Sequence, residues 1–430
     1  MIAGKERHDF SYRFSSRIVR KYLCHKFNFE CDTIDVGHSP YIVIANHLTN
    51  WDPLLIAMSF KKSMYYLASD YVYRVGFKSK ILRFLFSPIA RARSTVETSA
   101  VMTIFRRLKE KCNICIFAEG NNPFDGETGE IQPSIGKLIK KAGVALVTYR
   151  FFGTYLSLPR WARFLHRGKS EGRLAQIYSP EQLSTMSEDE IYQAIKQDLY
   201  VNAYDEQKKL PLEFRGRKSA EYLETALYCC PCCKQFSTLK SKEDMLFCSC
   251  GFRVRYTEYG YFEMPPKQEL VGTQPYVPDS PPFTTVLEWS KWQKSELAVL
   301  AKKMAFADNR IPIFTDHTQK LYHVKRARYN TFMAKGSLYL YNDRISFVKK
   351  NYDIIEFPLE TIVDLSVILK MVLLFSTIDG QLFEIHCRHP ISALKYLEMI
   401  KMLKSLQTKP AAEGEKPSVL PRTSGEQQPD

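Results

Sequence analysis

Short, continuous apolar runs alternate along this chain with segments whose apolar residues recur every three or four positions. Residues 41–45, 64–68, 112–117 and 144–149 are runs of strand length, rich in Ile, Val and aromatic residues. Runs without a polar alternation suit strands covered on both faces. Between them, residues 54–60, 98–109 and 134–142 carry helical spacing, the second with Val101, Ile104, Phe105 and Leu108 on one side. This alternation predicts a layered α/β domain over residues 36–210. Residues 180–204 predict an acidic turn and a helix, with Ser184 and Ser187 as N-caps.

The pattern changes further on. Residues 225–263 form a small cysteine module, followed by a Pro-rich connector over 265–282 and a helix over 289–308 with Trp292, Leu297 and Leu300 on its apolar side. Shorter strand-like runs then occupy 337–341, 345–348, 354–357, 372–376 and 382–386, with Asn342-Asp343 and Asp379-Gly380 as turns. A last helix over 390–404 carries Ala393, Leu394, Leu397 and Ile400 on one side. Antiparallel strands closed by one amphipathic helix predict a β-rich domain over 311–405, similar at the level of fold to a pleckstrin-homology or GRAM domain. Residues 409–430 are Pro, Gly, Glu, Ser and Gln with few aliphatics, and predict disorder.

At the other end, residues 1–35 interleave aromatic and basic side chains, and Phe14, Ile18 and Tyr22 would share one helical face. Such a helix either lies on an anionic membrane or packs on the domain behind it. Lys and Arg number 61 against 46 Asp and Glu, a formal net charge of +15. The excess favours an anionic partner: nucleic acid, a membrane surface or a phosphorylated substrate. No apolar run reaches the roughly 18 residues of a membrane-spanning helix, and no secretory signal is visible.

Candidate chemistry sharpens the picture. The run 41–45 ends at Asn46-His47-Leu48-Thr49-Asn50-Trp51-Asp52, and the run 112–117 ends at Ala118-Glu119-Gly120. The carboxyl ends of strands are where α/β folds present reactive groups. A histidine paired with a carboxylate takes a proton from an alcohol near neutral pH, so His47 is the expected general base and Asp52 its orienting partner. Acyl transfer from a thioester needs no further protein nucleophile, because the thiol is a good leaving group.

NHLTNWD resembles the N-H-x4-D block of the lysophospholipid acyltransferases, the PlsC-type group that includes glycerol-3-phosphate and 1-acylglycerol-3-phosphate acyltransferases. FAEGNNPFDGETGEI resembles that family's F-x-E-G block, and SIGKLIKKAGVALVTYRFFGTYLSLPRW the segment that follows in bacterial members. The resemblance implies a glycerolipid acyltransferase-like domain with acyl-CoA or acyl-ACP as co-substrate and no cofactor in catalysis. It also implies that Glu119 and Gly120 serve the acceptor. One departure matters. The family commonly continues E-G-x-R-S, with the arginine beside the substrate phosphate, whereas this chain has Asn121-Asn122-Pro123. Asn122 donates a hydrogen bond without charge, so the candidate cations are Arg91, Arg93, Arg150 and Arg160. The basic, aromatic segment 71–93, with Phe84 and Phe86, suits docking on anionic lipid.

Six of the 11 cysteines lie between Cys229 and Cys250. Cys230 and Cys233 in C-P-x-C order, with Cys248 and Cys250, predict a zinc ribbon with structural Zn2+; Cys229 with Cys232 is the other register. Arg215, Arg217, Lys218, Arg253 and Arg255 permit nucleic-acid contact, but no ladder of stacking aromatics accompanies them, and no specific nucleic acid is expected. The sequence therefore predicts a 1-acylglycerol-3-phosphate O-acyltransferase without a transmembrane span, on the cytoplasmic face of the membrane. Its partners would be an anionic membrane surface and a lysophospholipid acceptor. The alternative is a non-catalytic lipid-binding scaffold.

Overall fold

The computed structural model describes residues 6, 8, 9, 12, 20–69, 89–91, 98–266, 280–325 and 330–408. Its first sheet has seven strands: β1 (Phe29–Cys31), β2 (Tyr41–Ala45), β3 (Met64–Ser69), β4 (Ile89–Arg91), β5 (Asn113–Phe117), β6 (Ala145–Phe152) and β7 (Ser170–Tyr178). Their spatial order is β1-β7-β6-β2-β5-β3-β4. The run β6-β2-β5-β3-β4 is parallel, and β7 joins β6 antiparallel. All five residues of β2 are buried. Tyr41, Val43 and Ala45 feed one core, while Ile42 and Ile44 feed the other, as the two-residue period of a strand requires.

Helices α1 (Asp52–Ala57), α2 (Thr98–Lys109), α3 (Ser134–Ala142), α4 (Thr154–Ser157), α5 (Pro180–Thr185), α6 (Glu188–Leu199) and α7 (Ala203–Lys209) accompany this sheet. Ile104 and Leu108 from α2, Ile135 and Ile139 from α3, and Ile191 and Ile195 from α6 fill the core under Ile42 and Ile44. Ser187 caps α6 through a reciprocal capping box, as expected. The expectation for Ser184 is corrected: Ser179 caps α5, and Ser184 lies inside it, its hydroxyl donating to the Glu181 carbonyl. The acidic residues after Ser184 begin only beyond Ser187, so the cap falls one serine to either side.

A four-stranded antiparallel sheet follows, built from β8 (Leu239–Lys242), β9 (Met245–Cys248), β10 (Arg253–Tyr256) and β11 (Phe262–Glu263). Helix α8 (Val286–Met304) follows. Its Trp289 is buried edge-on to Phe252 and Phe262 and donates from Nε1 to the Cys229 carbonyl at 2.9 Å. Ser290 and Lys294, on the same helix, reach Asp125 at 2.9 and 3.4 Å.

The third sheet is antiparallel: β12 (Phe314–His323), β13 (Thr331–Leu340), β14 (Arg344–Lys349), β15 (Ile354–Pro358), β16 (Ile362–Ile368), β17 (Val372–Thr377) and β18 (Leu382–Cys387). The order is β15-β14-β13-β12-β18-β17-β16, with α9 (Leu394–Thr408) packed on β16 and β17. The β-rich C-terminal region closed by a helix is thus present. Strands β12 and β16 escape the sequence pattern because polar residues interrupt their alternation.

Of the N-terminal stretch, residues 20–27 are helical, with Leu23 and Phe27 fully buried and Tyr22 56% exposed. Phe14, Ile18, Phe84, Phe86, Arg93, most of the Pro-rich connector and the tail 409–430 lie outside the described residues.

Candidate active site and metal centre

The register of the first sheet builds the site. Ala45 on β2 pairs with Phe117 on the neighbouring β5. His47 and Glu119, each two residues further on, therefore leave adjacent strands side by side. The Glu119 carboxylate accepts from the His47 backbone N–H at 2.7 Å through Oε1 and from the Gly129 N–H at 2.6 Å through Oε2. Burial nevertheless outweighs these two donors and pushes its pKa up to about 7. A Cβ at Gly129 would stand 3.1 Å from Oε2, so the side chain is gripped by a loop that must approach closely.

Asp52 opens α1 and is wholly buried. Its Oδ2 accepts from His47 Nδ1 at 3.0 Å, from Leu48 N at 2.6 Å and from Thr49 N at 2.9 Å, while Oδ1 accepts from the Thr49 hydroxyl at 2.7 Å. Four donors compensate this carboxylate for the loss of water. The imidazole is 15% exposed and stacks on Phe117 with ring centres 4.5 Å apart. With Nδ1 held by Asp52, the ring presents Nε2, which has no hydrogen-bond partner among the described residues. A neutral imidazole in this tautomer can accept a proton at Nε2 while Asp52 stabilises the charge that results.

Asn46 is a residue whose role the sequence reading missed. Fully buried, it accepts from the Phe151 N–H at 2.8 Å and donates to the Phe151 carbonyl at 3.2 Å, clamping the end of β2 to the end of β6. Thr49 is another, tying Asp52 to the loop. Both stand inside the NHLTNWD block, which was the signal available. Lys26, from the N-terminal helix, lies with Nζ 3.8 Å from the centre of the Trp51 ring and brings a cation onto the same block.

Gly120 turns the chain with φ +71°, and Asn122 behind it is buried. Arg160 reaches the Asn122 carbonyl at 2.8 Å through Nη1, stacks 4.3 Å from the centre of Phe124, and donates to the carbonyls of Leu369 at 2.7 Å and Val367. It therefore joins the loop after Glu119 to the C-terminal sheet. Arg150 shares the face of β6 that carries Thr148, whose hydroxyl bonds Asp198 of α6, and it flanks Phe152. His47 stacks on the other face of the sheet, against Phe117. Arg91 ends β4, paired through its backbone with Ser69.

In the ribbon, the thiol sulfurs of Cys230, Cys233, Cys248 and Cys250 all lie within 4.8 Å of one another, a cluster able to hold a metal ion. The pairs Cys230–Cys250 and Cys233–Cys248 stand 3.8 and 3.7 Å apart, and none of these cysteines is in a disulfide. Four thiolates bound tetrahedrally at the usual Zn–S length have sulfur–sulfur edges of about 3.8 Å, so the residues fit zinc. Cys229, in the alternative register, turns its sulfur toward the Lys234 carbonyl, and Cys232 is exposed.

Residues 26–151 match the protein family described as Acyltransferase. Among solved structures, the 1-acyl-sn-glycerophosphate acyltransferase PlsC from Thermotoga maritima is similar, with a TM-score of 0.37 and 18% identity over 46% of this chain and 81% of that one. No curated protein matches the sequence. Residues 26–151 thus carry the acyltransferase pattern, and acyl transfer in general is the activity that this likeness supports.

Proposed function

We propose that this protein moves a fatty acyl group from acyl-CoA or acyl-ACP to the free sn-2 hydroxyl of 1-acyl-sn-glycerol 3-phosphate, giving phosphatidic acid. The observation that carries the reading is the His47 imidazole, fixed by Asp52 with Nε2 presented beside the Glu119 loop. His47 Nε2 takes the hydroxyl proton as the oxygen attacks the thioester carbonyl. The C–S bond then breaks, and the leaving thiolate recovers the proton from the imidazolium. Asp52 holds the ring in the working tautomer throughout. Glu119, Gly120 and the Asn122 loop position the glycerol. Arg91 and Arg93 are the cations proposed for the phosphate, since the expected Arg150 lies on the face of the sheet away from His47 and the Arg160 nitrogens named above already serve carbonyls.

The reaction takes place at an anionic membrane surface, on the cytoplasmic face, with the C-terminal sheet and helix as a PH/GRAM-like domain. In keeping with a peripheral attachment, no described helix is long and apolar enough to cross a membrane. The four cysteines hold a structural zinc; with four sulfur ligands it has no open position and takes no part in the reaction.

Thiol release from acyl-CoA, and separately from acyl-ACP, tests this with a panel of lysolipids on vesicles. Lysophosphatidate-dependent release that disappears in His47→Ala is the expected result. Another preferred acceptor would replace the substrate but keep the chemistry. No release from folded, vesicle-bound protein would favour the non-catalytic scaffold.

A further inference from the structure

Helix α8 carries two stripes of polar contact side by side. Trp289 and Gln293, one turn apart and both buried, face the ribbon. Trp289 donates to the Cys229 carbonyl, while Gln293 accepts from the Tyr228 N–H at 2.9 Å and donates to the Ala226 carbonyl at 2.8 Å. Ser290 and Lys294, each one position further on, reach the acyltransferase domain instead, and Lys291 lies beside them. One stripe anchors the helix, and the next is left to hold something else.

What it holds is the loop after Glu119. The Gly129 N–H donates to the Glu119 carboxylate, so the glutamate closes residues 119–129 into a loop at its base. Asp125 stands midway round that loop. Its Oδ2 accepts from the Ser290 hydroxyl at 2.9 Å and lies 3.4 Å from Lys294 Nζ, and among the described residues no other group bonds this carboxylate. Lys291 Nζ stands 3.0 Å from one oxygen of Glu127, whose other oxygen accepts from the Tyr200 hydroxyl at 3.1 Å. The glutamate fastens the base of the loop, and α8 fastens its far end.

Lys294 differs from an ordinary surface lysine. It stands between two carboxylates, Asp125 and, at 3.8 Å, Glu398 of α9, which are only 14% and 15% exposed. Glu398 in turn accepts from the Tyr228 hydroxyl. A cation shared by two largely buried acids is held in place, whereas an isolated surface pair contributes little. The consequence falls on Glu119. A loop without such ties opens locally at small cost. Glu119 is itself half-buried, so the closure of the loop decides how much water its carboxylate meets and how well it stays on the His47 N–H. Displacements of about 1 Å at a reacting site are enough to slow a reaction many-fold.

We infer that Ser290 and Lys294 are positioning residues for the proposed acyl transfer. By holding Asp125 they keep the 119–129 loop closed, the Glu119 carboxylate on the His47 N–H, and bulk water away from it. The inference rests on acyl transfer being the reaction of this site; the grip on the loop does not.

The test uses the full chain and two readouts. The kcat and the KM for acyl-CoA are measured with lysophosphatidate as acceptor. Separately, and without substrate, the Glu119 carboxyl is titrated by NMR on carbon-labelled glutamate, its signal identified by its absence in Glu119→Gln. In wild type it should titrate at about 7. Asp125→Ala leaves Lys294 balanced by Glu398. It should lower kcat about tenfold with the acyl-CoA KM unchanged, and move Glu119 by about one unit or more toward the ordinary value, because admitted water favours the carboxylate. Ser290→Ala with Lys294→Ala should do the same. Adding Asp125→Ala to that pair should cost nothing further, since all three act through one contact. Lys294→Arg should keep most of the rate. The charged groups facing Glu119, His47 and Asp52, are untouched in every variant. Lys302→Gln, exposed on the same helix, should match wild type. Should the pair misfold, judged by melting temperature and metal content, Ser290→Ala alone decides, with a smaller shift in the same direction. Glu119 titrating as in wild type in every variant, or losses that simply add, overturns the inference. If wild type transfers no acyl group and Glu119 still shifts in the variants, the grip stands and the proposed reaction falls.

Discussion

The strand-end cluster of His47, Asp52 and Glu119 and the sulfur cluster of the ribbon both crowd groups that lose by being buried together. They resolve the crowding differently. At the strand ends, each carboxylate is met by hydrogens the chain itself supplies: Leu48 N, Thr49 N and the Thr49 hydroxyl for Asp52, His47 N and Gly129 N for Glu119. In the ribbon, sulfurs stand 3.7 and 3.8 Å apart, and the backbone N–H groups of Cys232, Cys233, Gln235 and Cys250 that face them leave the mutual repulsion of four thiolates in place. The first arrangement is complete in the apoprotein, so its rigidity is a property of the polypeptide. The second is able to hold a cation, which would balance the charge of its four thiolates.

Removing one group from each cluster should therefore produce opposite failures. His47→Ala should lower kcat by about three orders of magnitude while the melting temperature stays put, as read by single-turnover acyl transfer and calorimetry on one preparation. Asp52→Asn should approach the same loss through the wrong tautomer. A His47→Ala variant that melts early would show that the strand-end cluster also holds the fold.

Cys233→Ser should abolish one equivalent of bound zinc, measured by atomic emission. It should also destabilise the chain by several kcal/mol, because binding free energies of order 10 kcal/mol are typical of isolated structural zinc sites. A strong chelator should do the same to wild type. Unchanged melting after chelation would mean that the thiols pack without metal.

Arg160→Ala tests the tie between the halves. It should lower kcat about tenfold by loosening the loop at Asn122, with zinc content intact, and Arg160→Lys should restore little, since an ammonium cannot reproduce a planar fork aimed at separate carbonyls. The smallest effect lies in pH. Because burial raises Glu119 to about 7, its contribution to stability is complete below the ordinary carboxylate value of 4.5 and is lost as pH rises through about 7. The difference in melting temperature between wild type and Glu119→Gln should therefore slope across that window. A flat difference would place Glu119 in a wetter setting.

How much of this could be read from the residues depends on distance along the chain. His47 and Asp52 were legible because five positions separate them and a buried strand leads into them. The parallel strands β2 and β5 were legible as unbroken apolar runs. The four clustered cysteines of the ribbon were legible as two tight pairs. Strand β7, with the polar sequence SEGRLAQIY, was not, since its pairing on both edges decides it more than its composition. Arg160 was legible as a cation but not as a tie, because Val367 and Leu369 lie more than two hundred positions away and their carbonyls carry no sequence signal.

The long reach of Arg160 and of α8 also sets an order of events during synthesis. The strand ends bearing His47 and Glu119 leave the ribosome early. The partners that seat the following loop, Ser290 and Lys294 on Asp125 and the Val367 and Leu369 carbonyls on Arg160, emerge much later. At ordinary elongation rates the wait is of the order of tens of seconds. During it the nascent chain displays the His47–Glu119 cluster with an unfinished wall, a natural interval for a chaperone to hold it and for a late truncation to yield protein whose cluster is never enclosed.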